Sequence, residues 1–208
     1  MSSVGKKAEE RIVDLIMMLA KHWLIIFTVL VLLFIIPIVG YSYLMSTGNP
    51  LLQSIAHVIF VLYKVTCHQL PERSLFVFGY QMTVCSRCFA IYAAFLAGCV
   101  AFAFVRTRLK IWSLKYFVII CIPMAIDGFA QLFGVPLPRG IGPGFELIWM
   151  TESTNLMRIV TGSIFGFGCA LYVLPYLEEI FGSAPISPAA NPGQQQPQQP
   201  ASPESPAR

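Results

Sequence analysis

Charged residues are scarce in this chain. Of its 208 residues only 12% are Asp, Glu, Lys or Arg, while 56% are hydrophobic, and an ordinary soluble domain has roughly 25% charged residues. So few charges make a water-soluble surface difficult to build, which argues against a soluble globular protein. The composition therefore indicates an integral membrane protein.

Charge is almost absent from three long apolar stretches. Each is near the ~20 residues that a helix needs to cross the hydrocarbon core. Two of them lack Lys, Arg, Asp and Glu, and the third, residues 84–105, contains only Arg87, near its start. A fourth stretch contains Lys115 near its start and Asp127 deep inside, and a charge in such a position usually faces protein or water. The sequence thus predicts an all-α integral membrane protein with four transmembrane helices, at His22–Met45, Val84–Val105, Ile111–Val135 and Ile159–Leu177.

The segment Leu51–Thr66 is apolar but short for a span. Its polar residues Gln53, His57 and Lys64 fall on one face of a helix. A one-sided polar stripe is typical of a helix at the membrane interface or packed against the bundle. We therefore predict a short amphipathic helix over residues 51–66.

Positive charges decide the orientation. With four spans, the basic cluster before the first span and the one after the second lie on the same side, as the positive-inside rule requires. We expect a multi-pass protein of the cell (cytoplasmic) membrane with both termini in the cytoplasm and with residues 46–83 and 136–157 outside. The two clusters are Lys6, Lys7, Arg11 and Lys21, and Arg106, Arg108, Lys110 and Lys115.

Three regions follow from this pattern. Residues 1–21 form a cytoplasmic N-terminal segment, and residues 22–182 form the membrane domain. Residues 183–208 are rich in Pro, Gln, Ser and Ala and have almost no apolar side chains, so they bury too little surface to offset the entropy of ordering. We expect this C-terminal tail to be disordered.

Cysteine and histidine are also rare, with six and three in the chain. Even so, Cys67, His68, Cys85 and Cys88 share one membrane face in this topology. The CxxC spacing puts two sulfurs on one side of a turn, and with a further Cys and a His the set is typical of a zinc site. We predict the three cysteines as ligands, and His68 as the fourth ligand or as a group that holds a thiolate or a water. In the latter case the fourth position is open, which suits activation of water.

Asp127 and Arg158 converge on the same face. An ion pair between them is one interpretation, because either charge alone near hydrocarbon is expensive. In the other, Asp127 is a general base or proton relay and Arg158 an anion clamp, with His68 as a third catalytic candidate. The surrounding layer is basic and suits a lipid phosphate or pyrophosphate. Its other polar members are Arg73, Arg87, Gln131 and Arg139.

Alternatives to a metal centre stay open. A CxxC at the outer end of a span is similar to the quinone-linked disulfide-forming membrane enzymes, and Arg87 would make a neighbouring thiol more reactive. Those enzymes generally use two cysteine pairs, whereas this face offers three cysteines. A disulfide from Cys67 to Cys85 or Cys88 would instead tie the outer loop to the helix. A purely structural role in assembly is a further possibility.

Several short motifs occur in order along the chain: CHQLPERS from Cys67, CSRC from Cys85, Asp127 with Gly128, and Arg158 followed by Thr161 and Gly162. Together they resemble DUF2085, an uncharacterised family of small prokaryotic membrane proteins, over roughly residues 58–172. The resemblance implies that these positions form a polar centre shared by the family. It implies no reaction.

The sequence therefore predicts a membrane protein with an outer-face Cys/His metal centre, and zinc is the expected ion. The hypothesis is a membrane metalloenzyme acting on a lipid-borne anionic group. The alternative is a thiol–disulfide oxidoreductase that uses quinone. Whether the protein is an enzyme stays open, and we expect membrane lipids, but no nucleic acid, as partners.

Overall fold

The computed structural model describes residues 3–106, 108–109, 111–141, 143 and 146–182. The predicted disordered tail, residues 183–208, lies outside the described residues. In chain order the helices are α1 (Ser3–Lys21), α2 (Trp23–Ser46), α3 (Pro50–Tyr63), α4 (Ser86–Val105), α5 (Leu114–Leu132) and α6 (Asn155–Gly182). The strands are β1 (Ser74–Val77), β2 (Tyr80–Cys85), β3 (Leu137–Ile141) and β4 (Leu147–Met150), and a 3₁₀ turn covers Pro71–Arg73.

Among the described residues, four helices, α2, α4, α5 and α6, are long and apolar enough to cross a membrane. Much of their apolar surface points outward, as lipid-facing helices require. The prediction of a mostly helical protein with four candidate spans is confirmed. The last helix begins earlier than predicted, at Asn155. The predicted span began at Ile159 because Arg158, in the first turn of the helix, limits the uncharged stretch.

The short helix α3 begins one residue before the predicted segment and ends three residues before its end. Asn49 caps it by accepting the Leu51 N–H at 2.9 Å, and Pro50 occupies the first position. The helix runs back along α2, with the Tyr63 hydroxyl donating to the Phe34 carbonyl. It therefore packs against the bundle, one of the two placements predicted for it.

In the part of the chain that the structure describes, the loops contain two antiparallel hairpins, β1–β2 and β3–β4, which the sequence analysis did not predict. Both lie at the end of the bundle where α4 and α6 begin and α5 ends, which we call the hairpin face. At the opposite end Glu178 accepts from the Trp23 indole at 3.2 Å and pairs with Arg106 at 2.6 Å. The start of α2 and the end of α4 thus lie together, as a four-span arrangement requires.

Close packing of α4 on α6 positions the candidate site. The two helices run in parallel from the hairpin face, and Gly166 lies so near Ile91 that an added Cβ would be 2.2 Å from the Ile91 carbonyl oxygen. A Cβ added at Gly162 would likewise be only 2.8 Å from the Arg87 carbonyl oxygen. Small residues allow the two backbones to approach this closely. In lipid, where the hydrophobic effect does not drive helices together, such close packing stabilises the helix pair.

Candidate functional site

Three cysteine sulfurs meet at the hairpin face. The Sγ atoms of Cys67, Cys85 and Cys88 all lie within 4.8 Å of one another, and the three residues are half-buried free thiols. Tetrahedral zinc with Zn–S bonds of about 2.3 Å separates its sulfurs by about 3.8 Å. The cluster is therefore of the size that one ion of this kind requires.

The three sulfurs come from different local structures. Cys67 lies in the loop after α3, Cys85 ends β2 and is the N-cap residue of α4, and Cys88 lies in the first turn of α4. The CxxC motif thus spans a strand-to-helix junction. The unpaired N–H groups and positive dipole at a helix start favour negative charge, so this junction suits thiolates.

Backbone amides support the Cys67 sulfur. It accepts the N–H groups of Cys85 at 3.2 Å and of Gln69 at 3.5 Å. Thiol hydrogen bonds from Cys85 and Cys88, together with these amides, hold the pKa of Cys67 well below its ordinary value. Cys67 is therefore the thiol of the cluster that is most readily a thiolate, the form that binds metal.

Gln69 holds the Cys67 loop in place, a role that the sequence analysis did not predict. It is buried and its backbone has a positive φ of 55°, which non-glycine residues seldom adopt. Its side-chain amide donates to the carbonyls of Phe60 and Thr83, both at 2.7 Å. Gln81 donates to its carbonyl at 2.6 Å. The motif CHQLPERS includes Gln69, but nothing in the single sequence indicates that its side chain fixes the loop.

His68 is exposed and lines the cleft above the cysteines. Among the described residues, the group of mutually close ligand atoms contains the three sulfurs and does not include a His68 ring nitrogen. The role of His68, as fourth ligand or as a group beside the ligands, stays a prediction.

A cleft of about 230 Å³ opens over the sulfurs. It combines the thiols with cationic and amide side chains from the segment between α3 and β1 and from α4, α5 and α6. The lining residues are Thr66, Cys67, His68, Gln69, Leu70, Arg73, Cys85, Arg87, Cys88, Gln131 and Arg158. Most of the polar residues predicted to share a layer are thus found in one cavity.

Asp127 lies at the centre of a buried ion-pair network. One carboxylate oxygen accepts from Arg87 and from the Ser153 hydroxyl at 2.9 Å, and the other accepts from Arg139 Nε at 3.1 Å. Arg139 also donates to the Asp127 carbonyl at 3.1 Å. The interpretation of an Asp127–Arg158 ion pair is wrong, because α5 turns the carboxylate toward Arg87 and the β3 strand supplies Arg139 instead.

Arg158 has different partners. Its guanidinium donates to Asn155 Oδ1 at 3.1 Å and lies 3.6 Å from Glu152 Oε2. The side chain is only 4% exposed, whereas that of Glu152 is 64% exposed. Glu152 and Ser153, which follow the second hairpin, were missed by sequence reasoning because the hairpin that brings them over the cleft was not predicted.

Comparisons with known proteins identify a family and similar archaeal proteins. The family model described as "Predicted membrane protein (DUF2085)" matches residues 67–172, a range that begins at Cys67 and includes Asp127 and Arg158. An uncharacterized protein of Methanocaldococcus jannaschii is 37% identical over 142 residues, which cover 67% of this chain and 81% of that protein. One from Methanothermobacter thermautotrophicus is 32% identical over 110 residues, or 52% of this chain and 85% of the relative.

No solved structure gives a significant match. The family match covers half of the chain and agrees with the resemblance that the motifs carry. The chain therefore belongs to the DUF2085 family of predicted membrane proteins.

Proposed function

We propose that Cys67, Cys85 and Cys88 bind one metal ion, with zinc as the expected ion, and that the fourth position faces the cleft. The observation that supports this is the approach of three sulfurs to within 4.8 Å of one another. Thiolate sets of this kind suit zinc or iron better than the hard cations, which prefer oxygen. His68 at the cleft would complete the ligand set or hold a water beside it.

The second part of the proposal is that the centre is catalytic. A zinc ion with three protein ligands and an open position supplies Lewis-acid chemistry and an activated water. The cleft adds the guanidinium groups of Arg73, Arg87 and Arg158, which suit an anionic group by charge and by hydrogen-bond geometry. We therefore propose a membrane metalloenzyme that acts by hydrolysis or transfer on a lipid-borne anionic group.

Asp127 has a positioning role in this proposal rather than that of a general base. Both of its carboxylate oxygens already accept from cations, and its side chain is 4% exposed. It holds the side chain of Arg87, which lies between the two cysteines of the CxxC motif in the sequence and lines the cleft. Arg158 is the residue that would contact the anionic group.

The proposed location depends on the apolar helices and on the distribution of positive charge. Four apolar helices belong to a membrane protein, and the positive-inside rule assigns the hairpin face to the outside of the cell membrane. Membrane lipids are then the surrounding partner, and a headgroup in the outer leaflet could reach the cleft.

Metal analysis of the purified full-length protein under reducing conditions tests the centre. We expect about one equivalent of zinc per chain, and less than about a tenth of an equivalent of zinc or iron would exclude the proposal. Cys88→Ser should lose the metal. Cys121→Ser, which changes a half-buried cysteine of α5 outside the cluster, is the matched control and should keep it.

A thiol oxidoreductase is the second candidate, because the same sulfur proximity permits a disulfide. Oxidation of two thiols releases two electrons and two protons, which a quinone would accept to become a quinol. Alkylation after denaturation, with and without reductant, separates the candidates. Metal-bound cysteines are reduced and become labelled without reductant, whereas a Cys85–Cys88 disulfide needs reductant first.

A further inference from the structure

One carboxylate oxygen at the hairpin face has two hydrogen-bond donors and a third guanidinium group close by. Glu152 Oε2 accepts from Gln131 Nε2 at 2.5 Å and from Arg73 Nη2 at 3.3 Å, and it lies 3.6 Å from Arg158 Nη2. These donors come from α5, the 3₁₀ turn and α6, three elements far apart in the chain. Their convergence on a single oxygen defines a place that is built for an oxyanion.

The carboxylate and its donors differ in how firmly they are held. Gln131, Arg73 and Arg158 all line the cleft that contains the cysteines. The Arg158 side chain is 4% exposed, but that of Glu152 is 64% exposed. An exposed side chain at the rim can turn away into solvent, whereas the buried guanidinium stays in the cleft.

The cationic groups are also incompletely satisfied. A buried guanidinium needs hydrogen-bond partners to offset the loss of solvation. Within the part of the chain that the structure describes, the buried Nε atoms of Arg73 and Arg87 have no hydrogen-bond partner. The 3.6 Å separation of Arg158 from Glu152 exceeds a hydrogen bond. The cleft therefore has donor capacity that one carboxylate oxygen does not use.

We infer that Arg73, Gln131 and Arg158 bind a phosphate group, and that the Glu152 carboxylate occupies this position until the phosphate displaces it. A phosphate offers several oxygens with more charge than a carboxylate, and arginine forks match such a group. The Glu152 carboxylate then competes with anions for the same donors, so that anions that bind more weakly than phosphate do not displace it. The meaning of this site for catalysis rests on the proposed metalloenzyme, but the binding itself does not need the metal.

Calorimetry on the purified full-length protein in phosphatidylcholine nanodiscs tests this. The titrants are inorganic phosphate and dihexanoyl phosphatidate, with dihexanoyl phosphatidylcholine as a blank. Binding of either phosphate supports the site, and the tighter titrant identifies the source of the group, free or lipid-borne. Binding of neither would overturn the inference.

Variants test the role of the Glu152 carboxylate separately from that of the donor side chains. Glu152→Gln should tighten phosphate binding about fivefold or more, since it removes an exposed ion pair of about 1 kcal/mol. Glu72→Gln removes the same charge from an exposed position beside Arg73 and should leave the affinity unchanged. An equal gain in both variants would show a general charge effect and would contradict the inference.

Arg158→Gln should abolish phosphate binding. If this buried change prevents folding, Arg73→Gln, whose side chain is 36% exposed, replaces it and should weaken binding at least about tenfold. Unchanged affinity in Arg73→Gln would overturn the site. Zinc content is measured in every sample, so phosphate binding without zinc would reject the metal centre while it upholds the anion site.

Discussion

Gln69 donates a 2.7 Å hydrogen bond from its side-chain amide to the carbonyl of Thr83. This bond joins the loop that carries Cys67 to the strand that ends in Cys85, so it determines how the two sulfurs face each other. A second bond, to the Phe60 carbonyl at 2.7 Å, ties the same amide to α3. The cysteine cluster thus depends on a residue that contributes no ligand.

Gln69→Ala should therefore weaken metal binding without removing a ligand. Groups that orient ligands typically contribute 10- to 100-fold in metal affinity, and we expect a loss of about that size in competition with a chromogenic chelator. Gln53→Ala is the control, because Gln53 donates to the Met45 carbonyl at 3.3 Å away from the cluster. Equal affinities of Gln69→Ala and the unchanged protein would show that the loop is held by other contacts.

The packing of α4 on α6 gives a second prediction. In Gly166→Ala the new methyl group would meet the Ile91 backbone at 2.2 Å, so the helices must separate and the first turn of α4 moves with them. We expect destabilisation by about 1–3 kcal/mol, the usual cost of overpacking, seen as a lower midpoint of thermal unfolding in detergent. Gly40→Ala is the matched control, since nothing lies within 4 Å of its added Cβ. A similar midpoint for both variants would contradict the packing.

The length of the apolar stretches and the scarcity of charge were sufficient to predict the four candidate spans, because both depend on composition within one segment. The convergence of Cys67 with Cys85 and Cys88 followed from the topology, since a four-span chain puts these residues at one end. The partners of Asp127 could not be predicted in this way. Arg139 reaches Asp127 only through the β3–β4 hairpin, and short strands at a membrane surface have a weak sequence pattern. The positive φ of Gln69 is likewise a property of the folded loop.

Orientation in the membrane can be tested with an impermeant maleimide on intact cells. Thr47 lies exposed at the hairpin face and Ser113 lies exposed before α5, at the other end. We expect Thr47→Cys to be labelled from outside and Ser113→Cys only after the cells are opened, because the basic clusters should remain in the cytoplasm. The unchanged protein measures labelling of its native cysteines. The reverse pattern would place the cleft in the cytoplasm.

Asp127→Asn tests whether this carboxylate positions other groups or acts as a base. The change leaves the buried side chain of Arg139, which is 0% exposed, and that of Arg87 without their counter-ion. Breaking a buried pair in this way typically costs about 3–5 kcal/mol. The apparent Tm in detergent should therefore fall by at least about 6 °C, whereas Asp14→Asn, at an exposed position of α1, should leave it unchanged. An unchanged Tm together with a loss of turnover would contradict the positioning role. It would show that other groups hold the two guanidinium groups and that Asp127 acts only as a general base.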